Sequence, residues 1–82
     1  MSPEEAAIRE YMRTNLLVDF DDTVTPQSNL FQLGLIDSFG FIELVTFLET
    51  AFQIKFSDED LLDGSLNTLA GIVSVVGRRT HA

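Results

Sequence analysis

The strongest constraint on the fold is a run of apolar residues that recurs at helical spacing between Ser38 and Phe52. Its apolar members share one face by the three-four spacing: Phe41, Leu44, Val45, Leu48 and Phe52. Asp37 and Ser38 stand directly before this face, and both residue types favour the start of a helix. The rest of the chain must therefore supply partners that bury this face.

A first helix is predicted over residues 3–17, with Ser2 as its cap and Pro3 in its first position. Residues 18–37 then form a long connection rich in Asp, Thr and Ser, which is unusual in a small domain and often functional. We expect its second half to fold back over the core, because its apolar residues should not be exposed together: Leu30, Phe31, Leu33 and Leu35.

Two further helices follow. A short one is predicted over residues 58–63, because Ser57 and the acids after it suit a helix N-terminus. In the last helix, Asn67 is the predicted cap, and Gly77 is the predicted end, followed by two arginines. The chain is therefore predicted to be all-α, a small four-helix bundle of three longer helices and one short helix with a long first loop.

Composition narrows the range of functions. A chain without cysteine has no disulfide, zinc–thiolate site or cysteine nucleophile. Its net charge of −8 disfavours nucleic acid and anionic membrane and favours basic partner surfaces. It lacks an apolar run of membrane-spanning length and a signal-peptide pattern, so the cytoplasm is the expected location. We expect a free-standing monomer of one domain over 1–82, with its core at about 3–77 and a tail at 78–82.

Ser38 is the candidate reactive residue. A catalytic serine needs a base within hydrogen-bond reach, yet the lone His81 lies in the tail and the Gly-x-Ser-x-Gly elbow is absent. No metal site is expected, since Val24 stands where a calcium loop needs glycine. Asp37 and Ser38 can simply cap the helix. Alternatively, Ser38 is esterified by another enzyme, and a phosphodiester there would meet a favourable helix dipole.

The residues around Ser38 resemble the signature of acyl carrier proteins and peptidyl carrier domains. They are Leu33-Gly34-Leu35-Ile36-Asp37-Ser38, then Phe39, Glu43-Leu44-Val45 and Leu48-Glu49. The resemblance extends through 52–59 and 66–69, and so covers about 4–77. It implies an acyl-carrier-protein-like fold in which Ser38 bears 4′-phosphopantetheine, transferred from coenzyme A by a phosphopantetheinyl transferase. The thiol of that arm would hold acyl or aminoacyl groups as thioesters, so the chain would be a carrier and not an enzyme.

The resemblance also implies partners: loading ligases, synthases or tailoring enzymes with basic and apolar docking patches. The predicted docking residues lie around Ser38 and along its helix: Asp37, Phe39, Ile42, Glu43, Thr46 and Glu49. Asp37 either assists recognition by the transferase or caps the helix. Phe39 replaces the family's usual leucine or methionine, and the helix has fewer acids than carriers of fatty-acid synthesis. This favours polyketide, nonribosomal peptide or other specialised biosynthesis, including that of antibiotics. The alternatives are a fatty-acid-synthesis carrier and an unmodified helical interaction module.

Overall fold

The computed structural model describes residues 2–80. They form four α-helices in chain order: α1 (Pro3–Tyr11), α2 (Ser38–Phe52), α3 (Asp58–Leu62) and α4 (Leu69–Thr80). A π-helical turn, Met12–Leu16, continues α1, and a 3-10 turn, Ser65–Asn67, precedes α4. The part of the chain that is described contains no strand. The prediction of a small all-α bundle with a long first loop is confirmed.

The core lies where α1, α2 and α4 face one another. Its fully buried side chains come from these helices, the turns and the long loop: Ile8, Met12, Val18, Leu30, Leu44, Leu48, Leu69, Ile72, Val75 and Val76. Aromatic rings pack around this core, with Tyr11 stacked on Phe47 at 4.1 Å between ring centroids. Such pairs stabilise the fold beyond the area they bury. This pair joins the end of α1 to the second half of α2.

The second half of the long loop covers the core only in part. Leu30 and Ile36 are buried, and the backbone N–H groups of Leu35 and Ile36 both donate to the Leu30 carbonyl. Leu33 and Leu35, which we expected to be covered, are 52% and 36% exposed. The reason is a turn at Gly34, whose φ of 73° reverses the chain direction and leaves its two neighbours at the surface.

The end of the first helix differs from the prediction. The α-helix stops at Tyr11, and Met12–Leu16 continue it as a wider π-helical turn. Leu17 follows with a left-handed backbone, and its N–H donates to the Met12 carbonyl. The Val18 N–H donates to the same carbonyl at 3.0 Å. One acceptor thus serves two donors, which closes the turn without the regular α-helical pattern.

Both predicted ends of the last helix were wrong. Thr68 is the residue that caps α4, because its Oγ1 accepts the Gly71 N–H at 3.0 Å, while Asn67 belongs to the 3-10 turn. Gly77 does not end the helix, which runs to Thr80. Gly77 has none of the positive φ that ends helices at glycine, so the helix continues through the predicted tail. His81 lies outside the described residues.

α3 is tied to the end of α4. Ser57 and Asp60 form a capping box, in which each side chain accepts the other residue's backbone N–H. The Arg79 guanidinium of α4 donates to the Asp60 carboxylate. The Ser57 N–H and then Arg79 lower the pKa of Asp60. This tie anchors a helix of only five residues, which is too short to be stable alone.

Candidate functional site

Ser38 is the first residue of α2, and it is exposed. The helix is capped by Asp37, whose Oδ1 accepts the Gly40 N–H at 2.7 Å and whose backbone carbonyl accepts the Phe41 N–H at 2.9 Å. The hydroxyl of Ser38 makes no hydrogen bond to any residue in 2–80. Capping therefore occupies Asp37 and leaves the Ser38 hydroxyl free to react.

The backbone around Ser38 suits an anion. Asp37 takes the N–H groups of Gly40 and Phe41, whereas those of Ser38 and Phe39 have no acceptor within the described chain. Free N–H groups and the positive end of the helix dipole stabilise a negative charge at this position. A phosphodiester on Ser38 Oγ would lie beside both groups, so the residues present fit a phosphopantetheine arm.

The exposed side of α2 next to Ser38 is apolar. Phe39 is 71% exposed and Ile42 is 63% exposed, although the sequence pattern left open that both belong to the core. Glu43 and Thr46 are exposed on the same helix, but the Thr46 hydroxyl donates to the Ile42 carbonyl at 2.9 Å. The hydroxyl proton of Thr46 is therefore used in a hydrogen bond within the helix. Next to Ser38, α2 therefore presents an apolar surface with one acid, Glu43. The docking role of these residues stays a prediction.

Glu49 has an intramolecular role that the sequence analysis missed. Its carboxylate accepts the Phe56 N–H at 3.0 Å and lies 3.8 Å from the ammonium of Lys55. Its backbone carbonyl accepts the N–H groups of Gln53 and Ile54. One residue thus fixes the link from α2 to α3. A negative charge near the C-terminal end of a helix is unfavourable because that end of the helix dipole is itself negative. An acid at this position of the sequence therefore indicates that Glu49 has a specific partner.

Within residues 2–80, no three His, Asp or Glu side chains are arranged to hold a metal ion. None of the helices there is long and apolar enough to cross a bilayer. A cavity of about 250 Å³ lies between α1 and the start of the long loop, lined by Ala6, Arg9, Glu10, Arg13, Val18, Asp19 and Phe20. None of these lining residues belongs to the surroundings of Ser38.

Comparison with known proteins gives a family and a set of relatives. A family model described as "Phosphopantetheine attachment site" matches residues 6–76. Three curated relatives are named D-alanyl carrier protein and come from Streptococcus pyogenes serotypes M5 (strain Manfredo), M49 (strain NZ131) and M1. Each is 34% identical over 82 residues, which cover 100% of both chains. No solved structure gives a significant match.

Proposed function

We propose, for a chain that belongs to the phosphopantetheine-binding family of acyl and peptidyl carriers, that Ser38 is the attachment residue. Membership makes the protein a carrier and not a catalyst, with 4′-phosphopantetheine covalently attached. The single observation behind the choice of Ser38 is its exposed hydroxyl at the first position of α2, where Asp37 supplies the cap.

Attachment exchanges one phosphate bond for another. A bond forms between Ser38 Oγ and the phosphorus that bears pantetheine, the diphosphate bond of coenzyme A breaks, and 3′,5′-ADP leaves. The hydroxyl proton passes to a base that the phosphopantetheinyl transferase must supply, because no side chain in 2–80, Asp37 included, is hydrogen-bonded to Ser38 Oγ. When bound, the arm supplies the thiol that forms thioesters. Dependence on coenzyme A supports a cytoplasmic location.

We propose that the cargo is an acyl or aminoacyl group of polyketide, nonribosomal peptide or other specialised biosynthesis. The support is the apolar side of α2, where Phe39 and Ile42 are exposed. The carboxylate of Glu49 accepts the Phe56 N–H, which leaves Glu43 as the acid beside that apolar side. The curated relatives are named for D-alanine, which favours an aminoacyl group as the second candidate. The intact mass of the protein purified from its host, with its native load, separates these cargos from a fatty-acid intermediate.

The attachment is tested by incubating the purified apo-protein with coenzyme A and a phosphopantetheinyl transferase of broad specificity. We expect the intact mass to rise by one phosphopantetheine group, and fragmentation to place it on the peptide that contains Ser38. An unchanged mass, or a group on another residue, would show that Ser38 is not the attachment site.

Changing Phe39 to alanine is expected to slow arm attachment about tenfold while the fold survives, because truncated aromatic anchors at interfaces cost more than ~1 kcal/mol. Phe39 is largely exposed, so its removal should change the free energy of unfolding by only about 0.5 kcal/mol. Transfer kinetics and thermal unfolding measure the two effects. A large drop in the melting temperature would instead place Phe39 in the core and remove it from the docking surface.

Changing Glu43 to lysine is expected to slow association with partners that present a basic patch, mainly through the encounter rate. Glu43 is exposed on α2, and burial, followed by the nearby Glu43 charge, raises the pKa of Tyr11 in α1. Stopped-flow association at several salt concentrations measures the effect, which salt should diminish. Asp22→Lys in the long loop makes the same change in net charge. Equal slowing in both variants would rule out a local role for Glu43.

A further inference from the structure

Gly40 lies in the first turn of α2, two residues after Ser38. Glycine is the least favourable helix residue after proline, and Gly40 has no positive φ that would require it. Its role is to leave space, because a Cβ there would lie close to three other side chains. The distances are 3.3 Å to Asp37 Oδ1, 3.5 Å to Leu16 Cδ2 and 3.9 Å to Ile36 Cγ2. The closest of these atoms is the carboxylate oxygen that caps the helix.

Leu16 comes from a different helix, and it reaches Gly40 because α1 ends in a π-helical turn. The Leu17 N–H donates to the Met12 carbonyl, five residues before it in the chain, and Leu16 is the last residue of this turn. Its side chain is partly buried against the core. Turns of this kind are rare and occur frequently at functional sites. Here the turn brings the end of α1 into contact with the first turn of α2.

We propose that Leu16 is a positioning residue for arm attachment, which keeps the first turn of α2 closed and so holds the Ser38 hydroxyl in one place. The inference rests on the proposed attachment at Ser38. Helix ends fray because their first N–H groups lack partners, and those of Ser38 and Phe39 have no acceptor within residues 2–80. Asp37 caps the turn only while Gly40 stays beside it, and Leu16 packs against that glycine. Leu16 therefore acts on the hydroxyl through the turn.

Changing Leu16 to alanine is expected to raise the KM of the transferase for this carrier about threefold and to leave kcat unchanged. Without the contact, we expect the turn to be closed in about one third of the molecules, which weakens apparent binding by the same factor. A carrier that has bound has its turn closed, so the rate of the bound complex stays the same. Leu16→Met conserves the volume of the side chain and should keep the wild-type KM.

Amide hydrogen exchange measures the turn itself, in the protein without an arm. The Phe41 N–H donates to the Asp37 carbonyl at 2.9 Å and so closes the first turn. Its exchange should be faster in Leu16→Ala and also in Gly40→Leu, which disturbs the contact from the opposite side and removes no atom from the core. Leucine is a better helix former than glycine, so faster exchange in Gly40→Leu would come from crowding and not from helix propensity.

Leu61→Ala is the matched control, because Leu61 is also partly buried against the core and is not among the side chains nearest to Gly40. We expect it to lower the melting temperature without changing the KM or the exchange of the Phe41 N–H. An equal rise in KM in Leu61→Ala would overturn the inference, as would a loss confined to kcat in Leu16→Ala.

Unchanged exchange of the Phe41 N–H in Leu16→Ala and Gly40→Leu would also overturn it. If Leu16→Ala does not fold, the exchange in Gly40→Leu decides. These exchange measurements need no arm. A wild-type chain that gains no arm at Ser38 would contradict the attachment proposal itself, whereas normal loading with an unchanged KM in Leu16→Ala refutes only the role of Leu16.

Discussion

Replacing Ser38 with alanine is expected to abolish arm attachment completely and to leave the fold intact. The hydroxyl is the only atom of this residue that can form the phosphodiester, so no partial activity should remain. The fold should tolerate the change because the cap comes from Asp37 Oδ1 and alanine is the best helix former. Intact mass after incubation with coenzyme A and transferase measures the loss, and circular dichroism measures the helix content.

The matched control is Ser74→Ala, which removes an exposed hydroxyl from α4. We expect this variant to gain one phosphopantetheine group, as the wild-type chain does. A Ser38→Ala protein that still gains the group would show that the arm is attached elsewhere. If Ser38→Ala loses helix content as well, the hydroxyl contributes to the helix start, and the assignment of the cap to Asp37 alone is wrong.

Changing Gly71 to alanine is expected to destabilise the protein by about 3 kcal/mol, at the upper end of the usual cost of overpacking. A Cβ at this position would lie 1.8 Å from the carbonyl oxygen of Ser65 and 3.0 Å from its carbonyl carbon. Both atoms are backbone, so no side-chain rotation relieves the clash. α4 and the 3-10 turn would have to separate, which disturbs Leu66 and Leu69 in the core.

Gly77→Ala serves as the control, because it lies in the same helix and has no neighbouring atom within 4 Å of the new methyl group. Alanine should stabilise this site by up to about 1 kcal/mol, through helix propensity alone. Urea unfolding of both variants gives the two free-energy changes. If the two variants were stabilised equally, α4 would not approach the 3-10 turn as closely as the structure places it.

Features set by local chemistry were predictable from the sequence. The start of α2 follows from Asp37 and Ser38 before a periodic apolar run. The same period places Phe39 and Ile42 on a face next to the core stripe but does not decide whether that face is buried, and the structure shows both exposed. The capping of α1 by Ser2 is equally local, since its Oγ accepts the Glu5 N–H three residues later at 3.1 Å. Each of these depends on groups within a single turn of helix.

Features set by contacts between distant segments were not predictable. Glu49 was assigned to docking because it lies on α2, yet its carboxylate reaches the backbone of Phe56 after the chain has turned. Gly77 was predicted to end α4, but Arg79 in the following turn bonds to Asp60 of α3 and the helix continues. The acid in the last turn of α2 indicates that Glu49 has a partner, but the identity of that partner, and the bond from Arg79 to Asp60, depend on how the helices are placed.

The support that Glu49 gives to the far end of α2 has a consequence for delivery of the cargo. α2 is a helix of 15 residues, about 22 Å long, with Ser38 at one end and a hydrogen-bonded anchor at the other. An arm on Ser38 would swing from a pivot that is stationary relative to the core. Its sweep is then set by rotation about its own bonds. A thioester on such an arm would pass between two enzymes when the whole domain dissociates from one and turns toward the next.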